Sequence, residues 1–95
     1  MKFLKRISLP SSQKHIESNT IYIDVRSREE FDAGSLKGSM NIPLENIPKS
    51  LNIIPKDRKV VLLCASGMRS GRARSLLVDF GFKNVQNGGS YLDYI

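Results

Sequence analysis

One cysteine and one histidine in 95 residues remove several classes of protein at once. A single thiol cannot close an intramolecular disulfide, which fits a reducing compartment. One Cys with one His also leaves too few ligands for a zinc set. No stretch approaches the roughly twenty consecutive apolar residues of a membrane span. In Met1-Lys2-Phe3-Leu4-Lys5-Arg6-Ile7 the apolar residues are interrupted after two positions, so a signal-peptide core is missing. We therefore expect a cytoplasmic protein, a single domain over residues 1–95, with no metal, no cofactor and no membrane partner. Acidic residues are also few, nine against fifteen Lys and Arg, a formal charge of +6. The basic residues are scattered and lack aromatic interleaving or glycine-rich basic runs, so a solvated basic surface is favoured over a nucleic-acid interface.

What is present is concentrated in one loop. The apolar run Val60-Val61-Leu62-Leu63 leads directly into Cys64-Ala65-Ser66-Gly67-Met68-Arg69-Ser70. Ala73, Leu76, Leu77 and Phe80 then recur at i, i+3, i+4 and i+7, the stripe of an amphipathic helix starting near Arg69 or Ser70 and ended by Gly81. A free cysteine is usually an inert small hydrophobe. This one sits where the unpaired N–H groups and positive end of a helix point back at it, a setting that favours an anion. A free thiol, with a pKa of about 8.5, is mostly protonated at neutral pH. The helix end and the Arg69 guanidinium should shift it toward the thiolate. Gly67 lets consecutive loop amides converge. Ser70 reads as a helix cap, and Ser66 as either a hydroxyl donor or a turn residue. Arg69, Arg72 and Arg74 lie within six positions, and two of them are placed to flank the loop mouth. Arg72 has a plain surface role as its equal alternative.

The rest of the chain alternates strand and helix. Pro10-Ser11-Ser12 reads as a helix start, with His15 and Ile16 in the short helix that follows. Residues 21–25 read as a strand, and Ser27-Arg28-Glu29-Glu30 as a capping box opening a helix that Gly34 ends. Met40-Asn41-Ile42 forms a brief strand, and residues 44–51 a short helical segment. Residues 59–63 are the clearest strand, and residues 84–86 the last. Gly88-Gly89 reads as a turn. Such alternation predicts an α/β domain with a mainly parallel sheet. Ligands bind beyond the carboxyl ends of strands in such sheets, the position of Cys64. Asp24 and Arg26 hold the same edge on the first strand. Their structural reading is preferred, with Asp24 accepting backbone hydrogen bonds and Arg26 pairing with Glu29 or Glu30, because a carboxylate against Cys64 would oppose its ionisation.

These motifs carry a resemblance. Asp24-Val25-Arg26 with Glu30-Phe31, the run Gly34-Ser35-Leu36-Lys37-Gly38-Ser39-Met40-Asn41-Ile42-Pro43, the Cys64 loop, then Gly81-Phe82, Asn84-Val85 and Gly88-Gly89 together resemble a single-domain rhodanese. The resemblance implies a five-stranded, mainly parallel sheet flanked by helices on both faces. It also implies a sulfurtransferase in which Cys64 takes sulfane sulfur from thiosulfate or a persulfide donor and passes it to cyanide or a thiol. Ala65, Ser66, Gly67, Met68, Arg69, Ser70 and Arg72 would bind the anionic donor, with Asp24 and Arg26 behind them. The pattern departs at Ser35, where the family commonly has His, and at Tyr91 or Tyr94, where it often has Trp. Cysteine phosphatases and arsenate reductases place five residues between Cys and Arg, whereas Cys64 and Arg69 are separated by four. A protease would need His15 as its base. A persulfide-carrier or protein-binding module in a sulfur relay is the alternative from a different class.

Overall fold

The run Lys59–Cys64 is buried from Val60 to its end, the pattern of a strand covered on both faces. In the computed structural model, which describes residues 13–95, it is the third strand of a parallel sheet. The elements are β1 (Thr20–Asp24), α1 (Arg28–Ala33), β2 (Met40–Asn41), 3-10 segments at Leu44–Lys49 and Leu51–Ile53, β3 (Lys59–Cys64), α2 (Met68–Asp79), β4 (Val85–Ser90) and a 3-10 turn at Tyr91–Tyr94. Strand order is β2-β1-β3-β4, with every pairing parallel. The described residues thus form four strands where the resemblance implied five.

Period-two alternation sorts the strand side chains onto two faces. Ile23, Val60, Leu62, Cys64 and Val85 pack with Ala73 and Leu77 of α2 and with Ile42, Ile47, Ile54 and Phe82. Tyr22, Val61 and Leu63 point to the other side and are covered by Leu36 and Tyr94, with Tyr91 against them. That second face is closed by the terminal 3-10 turn and the segment after α1, since α1 itself buries no residue. Parity therefore places the Cys64 side chain on the α2 face.

Ser27 and Glu30 form the predicted capping box, each side chain bonding the other's backbone N–H. Other expectations need correction. Pro10, Ser11 and Ser12 lie outside the described residues, and His15 and Ile16 are not helical but run exposed and irregular into the turn before β1. Glu17 N donates to the Tyr22 hydroxyl at 2.8 Å, and Asn19 turns with φ 65°. With Lys14 N also donating to Asp93 O at 2.6 Å, these contacts hold the segment in this irregular path where a helix was expected. Phe80 stays 43% exposed although it continues the apolar stripe, because α2 ends at Asp79 and the chain turns back at Gly81 (φ 94°) to bury Phe82 instead.

Gly88-Gly89 is not a turn between elements. β4 runs on through both, and its register jumps there, with Leu62 opposite Asn87 but Leu63 opposite Gly89. Gly88 is the extra residue of a bulge. A Cβ on Gly88 would lie 2.5 Å from Val61 Cγ1 and 2.8 Å from Leu63 Cδ2, so only glycine fits. Gly88→Ala should therefore destabilise the fold by about 1–3 kcal/mol through overpacking. Chemical denaturation measures this, and wild-type stability would show that the bulge has room to relax.

Candidate active site

The site begins where β3 stops. After Cys64 the chain makes one loop and enters α2 through Gly67, whose φ of 99° is a left-handed conformation that side chains disfavour. This turn aims loop amides inward. Gly67 N donates to Cys64 Sγ at 2.9 Å, and the Ser70 hydroxyl lies 3.3 Å from the same sulfur. Burial pushes the Cys64 thiol up, but hydrogen bonds from the Ser70 hydroxyl and from the Ser70, Gly67 and Ser66 backbone outweigh it, and the net shift is downward. Cys64 and Ser70 are buried, whereas Ala65, Ser66 and Met68 form an exposed rim.

Ser70 is thus not the cap. Gly67 occupies that position, and Ser70 is the third residue of α2, turned in toward the sulfur. Its hydroxyl donates to Asn87 Oδ1 at 2.6 Å. Asn87 also accepts from Gly89 N at 3.0 Å and donates through Nδ2 to Gly67 O at 3.0 Å. One amide thus ties the nucleophile loop, the start of α2 and the β4 bulge together. The approach is close enough that a Cβ on Gly67 would be 3.6 Å from Gly89 Cα. Reading the sequence missed Asn87. Its one signal is its place just before Gly88-Gly89, legible only once those glycines are known to be a bulge.

The charged residues also sort differently from expectation. Arg26 pairs with Asp24, not with Glu29 or Glu30. Its Nε and terminal nitrogen reach both Asp24 oxygens at 2.8–3.1 Å, with both side chains buried. Its guanidinium donates to Gly34 O at 2.7 Å and lies 3.8 Å from the Tyr91 ring centroid. Asp24 Oδ1 also accepts from Arg26 N, and Asn41 Nδ2 donates to the carbonyls of both residues. Asp24 and Arg26 therefore build the edge beside the loop and are satisfied by each other.

Glu30 takes Arg69 instead. The two terminal guanidinium nitrogens of Arg69 reach the two oxygens of Glu30 at 2.6 and 3.0 Å, a bidentate pair with both side chains 38% exposed. Arg69 holds the Glu30 carboxyl at about 2, helped by the Ser27 backbone. Arg69 is therefore not an unengaged cation beside the thiol. Arg72 leaves the site altogether and lines an apolar groove of about 410 Å³ with Leu44, Pro48 and Leu76, rimmed by Glu45 and Asp79. Arg74 donates to Val85 O at 3.0 Å. No group of three or more potential metal ligands occurs among the described residues. No described helix is long and apolar enough to cross a membrane.

The chain is similar in sequence and fold to known proteins. The rhodanese-like domain model matches residues 9–90. YtwF of Bacillus subtilis is 34% identical over 91 residues, covering 94% of this chain and 88% of its own length. Thiosulfate sulfurtransferase PspE of Escherichia coli is 31% identical over 74 residues, covering 76% of this chain and 71% of its own. A tRNA uridine(34) hydroxylase of Hamiltonella defensa is 28% identical over 86 residues, but this chain spans only 24% of it. The solved structure of a rhodanese with anions from E. coli superposes with a TM-score of 0.70 at 30% identity, covering 78% of this chain and 89% of that one. With its parallel sheet, its cysteine at a strand's carboxyl end and a family match over most of its length, the chain belongs to the rhodanese-like domain family, which includes sulfurtransferases.

Proposed function

We propose that the protein is a sulfurtransferase that carries sulfane sulfur as a persulfide on Cys64. The observation that carries this reading is the convergence of Gly67 N and the Ser70 hydroxyl on Cys64 Sγ, with the thiol shifted toward its anion. The Cys64 thiolate attacks the outer sulfur of thiosulfate. The sulfur–sulfur bond of the donor breaks, its electron pair leaves with sulfite, and Cys64–S–S⁻ remains. The persulfide carries one negative charge, as the thiolate did, so the same amides and helix end can hold it. A thiophilic acceptor, cyanide or a thiol, then takes the terminal sulfur and regenerates the thiolate. The donors around the sulfur shift Cys64 toward its anion, and the thiolate so formed attacks without a general base. In this reading Ala65, Ser66, Gly67, Met68, Arg69 and Ser70 surround the transferred sulfur.

Ser70 has one hydroxyl proton and two claimants. While Cys64 is a thiol, that proton goes to Asn87 Oδ1 and the thiol proton can point at Ser70 Oγ. When Cys64 ionises, the hydroxyl gains by turning to the sulfur, and Asn87 keeps its bond from Gly89 N.

Two outcomes are expected. Incubation with thiosulfate should add the mass of one sulfur at Cys64, removable by cyanide. Cys64→Ser should abolish loading with stability within about 1 kcal/mol of wild type. An unchanged intact mass after thiosulfate and after a persulfide donor would overturn the reading. Ser70→Ala removes a donor that lowers the thiol pKa, so that pKa should rise. Iodoacetamide labelling should then titrate at higher pH and slow severalfold at mildly acidic pH. An unchanged pH profile would show that the backbone amides alone hold the anion.

A further inference from the structure

The arginines at the carboxyl edge of the sheet are spoken for. Arg26 is paired with the Asp24 carboxylate, and Arg69 is paired through its two terminal nitrogens with Glu30. Arg72, the third arginine expected near the loop, lines a groove whose walls include no residue of the loop. Among the described residues, the anion-holding groups directed at Cys64 are therefore N–H and O–H donors, not an open guanidinium. Such donors suit one negative charge on sulfur. Thiosulfate brings two more.

We infer that Glu30 is a specificity-determining residue, which neutralises Arg69 beside the nucleophile loop and so biases Cys64 toward donors of low negative charge, alkyl or protein hydropersulfides, over dianionic thiosulfate. This inference rests on the sulfur-transfer reading and narrows its donor. The step balances without any co-reactant. The Cys64 thiolate attacks the terminal sulfur of R–S–SH, the donor's S–S bond breaks, R–S⁻ leaves with the electron pair, and Cys64–S–SH forms with the proton retained.

Two observations support Glu30 as the element that sets this bias. Its carboxylate is held from both sides, by Arg69 and by the Ser27 backbone N–H of the capping box, so it stays ionised and in place over the working pH range. Arg69 also lies in the loop that Cys64 begins, one position before Ser70, whose hydroxyl is 3.3 Å from the sulfur, so its charge stands beside the reacting atom. A guanidinium so placed attracts an anionic donor only to the extent that Glu30 leaves it uncompensated.

Glu30→Gln tests this directly, because glutamine at the same position preserves the capping box while removing the charge. Iodoacetate and iodoacetamide alkylate Cys64 by the same chemistry and differ by one negative charge. The ratio of their rates, iodoacetate over iodoacetamide, should rise about threefold in Glu30→Gln at low ionic strength, and the gain should shrink in concentrated salt. The thiosulfate KM should fall by a similar factor, while loading from the hydropersulfide of an uncharged alkyl thiol should change less than twofold. An unchanged alkylation ratio in a variant with a wild-type melting temperature would overturn the proposal. A raised ratio with no loading from either donor, in either protein, would instead sink the sulfur-transfer reading and leave Glu30's control of the local charge standing.

Discussion

Everything in the site depends on a contest at one sulfur atom. Burial opposes ionisation of Cys64, and hydrogen bonds from Ser70, Gly67 and Ser66 favour it. Desolvation is the largest single influence, and the donors win only together. The fold is therefore under a tight geometric demand, since a loop that relaxed slightly would keep the cost of burial and lose the gain from the donors. The left-handed Gly67 aims one of those donors, and Asn87 holds Gly67 through its carbonyl while accepting from Ser70. Asn87 is set in turn by the bulge at Gly88, which has no space for a side chain. Core packing at Val61 and Leu63 is thus linked to the acidity of a thiol on the opposite face of the sheet.

Where local rules suffice, the chain is readable. The buried run of β3, the Ser27–Glu30 capping box and the stripe of Ala73, Leu76 and Leu77 announce their elements, because each is decided by residues within a few positions. The position of Cys64 at a strand's carboxyl end followed from the same reasoning. What stayed hidden needed the topology. Four groups, Asp24, Arg26, Glu30 and Arg69, can be paired in more than one way, and the expectation that Arg26 would pair with Glu29 or Glu30 to fix the helix overlooked Asp24, two positions away. The parallel register sets Asp24 opposite Leu63, one residue before Cys64, and brings the loop arginine to α1. The buried Asp24–Arg26 pair then closes on itself.

Ser70 and the two late glycines show the same limit from another side. Serine at a helix start is most often a cap, and paired glycines are most often a turn. Here the left-handed turn at Gly67 already begins the helix, which frees Ser70 to face inward. The strand register absorbs an extra residue, so Gly88 and Gly89 bend β4 without ending it. In both places a tertiary contact, Asn87 to Ser70 and Gly88 against Val61, overrides the local preference. Statistical preference describes what a residue does when nothing else competes for it.

Charge makes the last distinction, between the molecule and its site. A formal +6 raises the local concentration of any small anion around the surface. That attraction is long-ranged and screened over about 10 Å in ordinary salt, so it cannot tell a thiosulfate from a phosphate or a carboxylate. Selection has to come from contacts made at short range. At the loop these are neutral dipoles in fixed positions, whose pull on one anion is strong and whose capacity for a second is small, because each N–H has a single direction to offer. A guanidinium opened beside them would add capacity without adding selectivity for sulfur. In the sulfur-transfer reading, with Arg69 matched by Glu30, the choice of donor rests on the sulfur these dipoles hold and not on the charge of the molecule that delivers it.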